Sequence, residues 1–235
     1  ITKWNYQITK ASEIPEILAK AFYIAKSGRP GPVLIDITKD AQFELMNFKY
    51  VKHQKLRSYI PEPVPEKNLI SKAAALINSS KKPFIVFGQG VILAHAEDDF
   101  KKFIEKSGIP SAWTILGLSA LETDHPLNVG MVGMHGNYGP NVLTNECDLL
   151  IAIGMRFDDR VTGNLNHYAK QAKVIHLEID RSEINKNVIA DIPILGNIKA
   201  TLPLLSEKIV KKTHHNWIEK FKELNAIEYE KVIQK

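Results

Sequence analysis

A single cysteine, Cys147, in 235 residues excludes an intramolecular disulfide framework and any zinc site built on cysteine ligands. Long apolar runs are also missing: none approaches the ~20 residues that a membrane-spanning helix needs. Nor does one sign of charge dominate. The 31 Lys and Arg against 26 Asp and Glu leave a net charge of only +5, with the lysines spread along the chain, which argues for neither nucleic acid nor a membrane as partner. The opening Ile1-Thr2-Lys3-Trp4-Asn5-Tyr6 has no initiator Met and no signal-peptide pattern, so the chain is expected to begin inside something larger and to be a fragment. A reducing, cytoplasmic setting fits this composition best. No internal repeat is present, and the length allows one large domain or two small ones with ample core.

What is present falls into segments. Ser12 is placed to cap a helix whose apolar positions Ile14, Ile17, Leu18, Ala21, Phe22 and Ala25 keep the helical period up to Ser27-Gly28. Pro32-Val33-Leu34-Ile35-Asp36-Ile37 reads as a strand. One helix and one strand cannot bury both their apolar faces, so residues 1–40 are expected to be an orphan helix–strand pair from a neighbouring domain. Residues 41–65 show little periodicity, and Pro61-Glu62-Pro63-Val64-Pro65 favours a stiff, extended linker. Beyond it, helices near 66–78, 94–107, 140–146 and 198–210 alternate with strands at 84–87, 110–113, 149–153 and 174–178. That alternation predicts an α/β domain over 66–212 with a parallel sheet and helices on both faces. Pro203 is expected to bend the last of these helices or mark its first turns. Over 213–235, Trp217, Phe221, Leu224 and Ile227 line one side of an amphipathic helix that packs on the domain or leads into another.

Open parallel sheets bind ligands beyond the carboxyl ends of their strands, so the loops there carry the functional signal. Arg156-Phe157-Asp158-Asp159-Arg160-Val161-Thr162-Gly163 puts four charges directly behind the apolar strand Leu149–Ile153 and Gly154. Arg156 and Arg160 are suited to clamp phosphates, and Asp158 and Asp159 to accept from hydroxyls or fix the arginines; an ion-paired surface loop is the plainer alternative. Gly88-Gln89-Gly90 follows the first strand of the domain, but Leu93 stands where a dinucleotide fingerprint needs its third small residue, so the fingerprint fails. Two glycines still let a backbone approach a ligand, or simply make a tight turn. Thr114-Ile115-Leu116-Gly117 follows the next strand. Gly130 to Gly139 holds four glycines in ten residues around Met134 and His135, a loop able to wrap a flat ligand, with His135 read as a hydrogen-bonding residue more than as a base. Glu178-Ile179-Asp180 closes a strand where a carboxylate commonly accepts ribose hydroxyls, and Gly196-Asn197 is placed to cap the helix that begins at Ile198.

These residues carry a family resemblance that covers essentially the whole chain. Gly28-Arg29-Pro30-Gly31-Pro32-Val33-Leu34-Ile35-Asp36-Ile37-Thr38-Lys39-Asp40 resembles the end of the pyrimidine-binding domain of thiamine diphosphate enzymes. Gly133-Met134-His135-Gly136, the Arg156 to Gly163 block and His176-Leu177-Glu178-Ile179-Asp180-Arg181-Ser182-Glu183-Ile184-Asn185-Lys186-Asn187 are similar to the central domain of the acetolactate (acetohydroxyacid) synthase large-subunit family, whose flavin-binding members the RFDDRVTG block marks. The resemblance implies a three-layer, Rossmann-like (DHS-like) central domain that binds FAD in a mainly structural role. It also implies a full enzyme that joins two pyruvates, or pyruvate and 2-ketobutyrate, with loss of carbon dioxide in branched-chain amino acid synthesis.

Carried over by motif, the flavin contacts are Arg29, Gly88, Gln89, Gly90, Thr114, Ile115, Leu116, Gly133, Met134, His135, Gly136, Gly154, Met155, Arg156, Phe157, Asp158, Arg160, Val161, Glu178, Ile179, Asn197 and Ile198. Lys39, Asp159 and Arg160 are expected near the substrate channel. Two positions depart from the family pattern: Gln89 interrupts what is commonly a run of three glycines, and Asn197 stands for an Asp. The resemblance places the catalytic glutamate upstream of residue 1 and the GDG-led diphosphate and magnesium motif downstream of residue 235; no GDG occurs in the chain, so the polypeptide is expected to be inactive alone. It further implies a homodimer or homotetramer with a separate regulatory small subunit. Two other readings stand beside it. A nucleotide-binding module of the deacylase or transhydrogenase kind would take NAD, against which the failed fingerprint argues; the central domain of another thiamine diphosphate decarboxylase, acting on oxalyl or benzoylformate substrates, is opposed by the RFDDRVTG block.

Overall fold

A computed structural model describes residues 1–52 and 55–234. Residues 53 and 54 of the expected linker and residue 235 of the expected terminal helix lie outside the described residues. The chain divides into two compact units, Ile1–Pro63 and Val64–Lys235.

In the first unit, strand β1 (Trp4–Ile8) lies parallel to β2 (Val33–Ile37), in register from Trp4 opposite Val33 to Ile8 opposite Ile37. Helix α1 (Ile14–Lys26) connects them, and α2 (Lys39–Phe43) follows. The expected helix and strand are thus joined by a strand that was not expected, although Trp4, Tyr6 and Ile8 alternate with the polar Asn5 and Gln7. Trp4, Tyr6 and Ile8 alternate inward toward Ile17, Ile35 and Ala41, as a period of two requires. Ser12 does not cap α1. It sits in a 3-10 turn over Ala11–Glu13, and the Glu13 carboxylate reaches back to accept from the N–H groups of Thr9 (3.1 Å) and Lys10 (3.3 Å).

The second unit contains, among the described residues, a six-stranded parallel sheet in the order β5-β4-β3-β6-β7-β8. The strands are β3 (Pro83–Phe87), β4 (Ser111–Trp113), β5 (Asn128–Met131), β6 (Leu149–Ile153), β7 (Lys173–Glu178) and β8 (Ile192–Leu195). Each residue of β3 and β6 is buried, so both read as continuous apolar runs. Side chains alternate between two cores: Ile85, Phe87, Leu149, Ile151, Ile153, Ile175 and Leu177 face one, and Phe84, Val86, Leu150, Ala152 and Val174 the other.

Helices α3 (Lys67–Ser79), α5 (Glu97–Ser107) and α8 (Ile198–Lys208) cover the first face with Ile70, Phe100, Phe103, Ile104 and Leu202. Helices α6 (Tyr138–Leu143) and α9 (His215–Glu228) cover the second with Leu143, Trp217 and Phe221. The fully buried Phe84, Phe87, Phe100 and Phe103 contribute about 1.5–3 kcal/mol each. Two shorter helices, α4 (Gln89–Leu93) and α7 (Asp159–Thr162), lie in the loops after β3 and β6, and a π turn (Tyr229–Ile233) follows α9. The three-layer α/β arrangement matches the sequence expectation. Three strands, β1, β5 and β8, were not expected. In β8 the reason is Pro193, which an edge strand tolerates. In β5 it is Gly130 within four residues.

The strand order reverses direction between β3 and β6, the two central neighbours. An order that runs outward from the middle in both directions sends the connections of the two halves to opposite faces and leaves a crevice beyond the carboxyl ends of these two strands.

Candidate functional site

Most of the loops singled out in the sequence meet at that carboxyl edge. Gly88 donates its N–H to Ile153 O (3.0 Å) and Gly90 to Gly154 O (2.9 Å), so the turn after β3 is bonded to the turn after β6. A Cβ on Gly88 would lie 2.6 Å from Gly154 O, and one on Gly90 2.6 Å from Gly154 Cα. These glycines therefore serve first to bring two protein turns together. Gly154 itself has φ +57°, and its missing Cβ would meet Ile198 Cδ1 at 2.5 Å, so the first residue of α8 packs beneath the same turn. Leu93, the residue that breaks the fingerprint, is exposed at the end of the five-residue α4, where no third glycine is needed to seat a long helix on the sheet.

The neighbouring loops join from both sides. Thr114 donates to Phe87 O (2.9 Å), and Gly117, one turn further, packs against the same carbonyl and Gly88. Met134 donates to Arg160 O (2.8 Å), and a Cβ on Gly133 would lie 2.6 Å from that oxygen, which ties the glycine-rich loop to α7. Asn141 brackets Gly133, accepting from its N–H (2.8 Å) and donating to its carbonyl (2.9 Å). From α9, Glu228 accepts from Asn137 Nδ2 (3.2 Å) and Tyr138 N (3.0 Å) and holds the far end of the loop. Asn141 and Glu228 had no signal in the sequence beyond an Asn near glycines.

The charged block has a defined shape. Asp158 caps α7, accepting from Arg160 N (3.0 Å), and receives Arg156 Nη2 at 3.3 Å. Met155 and Phe157 are buried and Arg156 between them is exposed, as are Asp159 and Arg160. Glu178, almost fully buried, accepts the N–H groups of Ile179 (2.9 Å) and Asp180 (3.1 Å), while its carbonyl accepts from Gly196 N (2.9 Å). Asn197 caps α8 as expected, accepting from Lys199 N (2.9 Å). These loops lie along one edge of the sheet, and the carboxylates of Asp158 and Glu178 each take backbone N–H groups of their own turns. His135 is exposed, as are Gln89, Ile115 (66%), Leu116 (60%) and Met134 (62%).

Arg29 and Lys39 belong to the first unit, at the end of α1 and the start of α2 respectively. That unit also carries an apolar groove of about 560 Å³ along α1 that includes none of the expected site residues. His176 was quoted in the sequence motif without a role. It is fully buried on β7, with Nε2 3.0 Å from Met155 O, and its ring meets Phe157 edge to face at 5.0 Å. Burial holds its pKa below the usual imidazole value, partly opposed by the Met155 carbonyl and Glu183. A polar residue inside an apolar strand was the signal available. Burial also pushes the Cys147 thiol up to about 12, which leaves it inert. No group of three or more His, Cys, Asp or Glu among the described residues could hold a metal, and no described helix is long and apolar enough to cross a membrane.

The chemistry of this edge fits a flat, anionic dinucleotide such as FAD. Exposed Ile115, Leu116 and Met134 offer apolar surface for a ring system, and the exposed guanidiniums of Arg156 and Arg160 suit a pyrophosphate.

Comparison with known proteins bears on the same residues. The family model of the thiamine pyrophosphate enzyme central domain matches residues 70–205. A Methanocaldococcus jannaschii protein named as a probable acetolactate synthase large subunit is 44% identical over 97% of this chain and 39% of its own length. The acetolactate synthase of Mycobacterium bovis is 42% identical over 92% of this chain and 34% of its own, and the acetolactate synthase large subunit of Corynebacterium glutamicum 40% identical over 96% and 37%. The chain thus spans about two-fifths or less of the length of these relatives. An X-ray structure from Mycobacterium smegmatis, whose description proposes a thiamin diphosphate-dependent enzyme, superposes with a TM-score of 0.72 at 23% identity, covering 89% of this chain and 40% of that one; it supports the fold.

Proposed function

Because this chain belongs to the thiamine pyrophosphate enzymes, whose central domain it carries, we propose that it is part of the catalytic subunit of an acetolactate synthase and that the carboxyl edge of its six-stranded sheet is a shelf for FAD. The observation that carries the shelf is the convergence at one edge of the glycine turns 88–90 and 154, the exposed apolar residues 115, 116 and 134, and the guanidiniums of Arg156 and Arg160. Arg156 and Arg160 would hold the pyrophosphate, and the loops at 114–116 and 133–136 the ring system. Ile198 and Asn197 underlie the shelf from the start of α8. Glu178 would meet the ribose through whatever capacity its backbone bonds leave.

In the full enzyme thiamine diphosphate, with magnesium, supplies the carbanion that joins two pyruvates, or pyruvate and 2-ketobutyrate, with decarboxylation. Under this reading the residues that bind and activate it lie on other segments, and these 235 residues contribute cofactor binding only. Residues 1–40 are the end of the pyrimidine-binding domain, residues 41–65 a linker, and 213–235 the connection toward the diphosphate-binding domain. The resemblance alone assigns Arg29 to the flavin and Lys39, Asp159 and Arg160 to the substrate channel of the full enzyme; of these, Asp159 and Arg160 stand at the sheet edge of the second unit. The assembly is a homodimer or homotetramer with a regulatory subunit in the cytoplasm.

Titration of the purified chain with FAD tests the shelf. Saturable binding weakened about ten-fold by Arg156→Ala is expected, since a charge-assisted bond to phosphate is lost; binding of NAD in its place overturns the flavin reading. A GDG motif downstream in the reading frame is expected, and a frame without one overturns the synthase assignment.

A further inference from the structure

The last ladder residues shared by β6 and β7 are Ile153 and Leu177, followed by one backbone bond from Gly154 N to Leu177 O (2.9 Å). Beyond that point Met155 is buried, Arg156 exposed and Phe157 buried, on a stretch outside any strand among the described residues. Side chains from the β7 side take over. His176 Nε2 lies 3.0 Å from Met155 O, and because a carbonyl can only accept, Nε2 carries the proton. Asn187, on the loop after β7, donates its Nδ2 to Phe157 O at 2.6 Å. The carbonyls of Met155 and Phe157 on either side of Arg156 are therefore both held, and the side chain between them is exposed.

We propose that His176 and Asn187 are positioning residues for Arg156: by donating to the carbonyls of Met155 and Phe157 they continue the β6–β7 ladder with side chains and fix the guanidinium on the shelf edge. The Phe157 ring, packed on His176, adds the inward contact that keeps the alternation from slipping. His176 has no hydrogen-bond partner on Nδ1 among the described residues, so the Met155 carbonyl is the one bond the buried ring makes there. Asn187 is exposed and sits nine residues past the strand, where packing alone would not call for an amide. The inference rests on the flavin reading for its ligand, not for its geometry.

Variants of the full chain separate donation from space filling. His176→Phe keeps a ring against Phe157 and loses the donor; His176→Gln loses the ring and keeps an Nε2 able to reach Met155 O. FAD affinity is expected to fall roughly ten-fold in His176→Phe and in Asn187→Asp, and to return to within about two-fold of the parent in His176→Gln. The opposite ranking, with Phe tolerated and Gln not, overturns positioning and leaves His176 as packing. Amide hydrogen exchange at Arg160, Val161 and Thr162, whose N–H groups bond to Asp158, reads the same device without ligand: faster exchange in His176→Phe but not in His176→Gln is expected. If the parent fails to bind FAD while exchange follows this pattern, the shelf reading falls and positioning stands; if exchange is the same in all variants, positioning falls whatever the flavin does.

Discussion

At the two ends of the six parallel strands, polar groups are used in opposite ways. Where β3 and β6 begin, Asp148 accepts from the Ser80 hydroxyl and from Lys81 N (2.8 Å) and Lys82 N (2.9 Å). Asn78 accepts from Val210 N (2.9 Å), donates to Lys208 O (3.2 Å) and offers its own carbonyl to Lys212 Nζ. Lys106 Nζ reaches Ser206 O at 2.6 Å. Helices α3, α5 and α8 all end here, and their last carbonyls and dipoles call for donors and cations. The lysine pairs at 81–82 and 211–212 therefore border a structural seam. At the carboxyl ends the turns touch through glycines, apolar side chains are left in solvent and Arg156 pairs with Asp158. One end is closed on itself; the other leaves apolar and cationic side chains exposed, as the proposed shelf requires.

The comparison breaks most severely at Gly154. In Gly154→Ala a left-handed backbone, φ +57°, coincides with a Cβ 2.5 Å from Ile198 Cδ1 and 2.8 Å from Gly90 Cα, so the strand-end turns would be forced apart at a cost of about 4 kcal/mol. Gly163→Ala has a similar positive φ, +55°, with ψ −124° and nothing within 4 Å, and should cost about 2 kcal/mol, all of it backbone strain. Urea denaturation of the two variants checks this; equal losses would mean that turn-to-turn packing is not what requires glycine at 154.

That pair also marks how much of the site was legible. The sequence carried the position of every loop at the edge, because apolar strand runs followed by glycine or charge are local patterns. It did not carry what Gly88 and Gly90 approach, since the partner backbone lies over sixty residues away and two opposite functions, ligand contact and turn packing, leave the same glycines. The sheet's two outer strands were illegible for a related reason: Pro193 and Gly130 oppose strand formation locally, and only edge positions and neighbours in β7 and β4 make them strands. β1 did carry the alternation of a half-buried strand, Trp4, Tyr6 and Ile8 against Asn5 and Gln7, and was overlooked. His176 and Asn187 became meaningful only through carbonyls twenty-one and thirty residues away.

On the closed end, Asp148→Ala leaves the Ser80 hydroxyl and two N–H groups short of an acceptor and should cost about 2 kcal/mol, reduced by partial exposure, with FAD affinity unchanged. Burial opposes ionisation of Asp148, but its hydrogen bonds to Ser80, Lys81 and Lys82 outweigh that and hold its pKa below the usual carboxylate value. Its contribution is therefore complete above the unfolded value, about 3.9, and is lost as pH falls through the lower folded value. Acid titration of stability should lose this component in Asp148→Ala; an unchanged acid limb would remove the seam from the account.

His176 gives the next smaller effect, and at a different pH. Because its folded pKa is lowered, the unfolded chain binds a proton first, so stability is complete above about 6.5 and declines as pH drops below it, by at most about 1.4 kcal/mol per pH unit. The slope should vanish in His176→Gln. Thermal melts between pH 5 and 7.5 provide the check, and a slope that persists in the variant assigns it to another group.

The smallest effect on stability belongs to the most conspicuous residue. Arg156 and Asp158 form an ion pair at 3.3 Å with side chains 47% and 33% exposed, so Arg156→Ala should change stability by no more than about 0.5 kcal/mol. Lys173→Ala, which removes an exposed pair with Asp191 at the amino ends of the strands, should be just as mild. The two substitutions part on ligand: the first should weaken FAD binding and the second leave it untouched. Equal FAD affinity in both, measured beside matching melts, would erase the distinction between a closed end and an open one, because Arg156 would then be one more solvated surface charge.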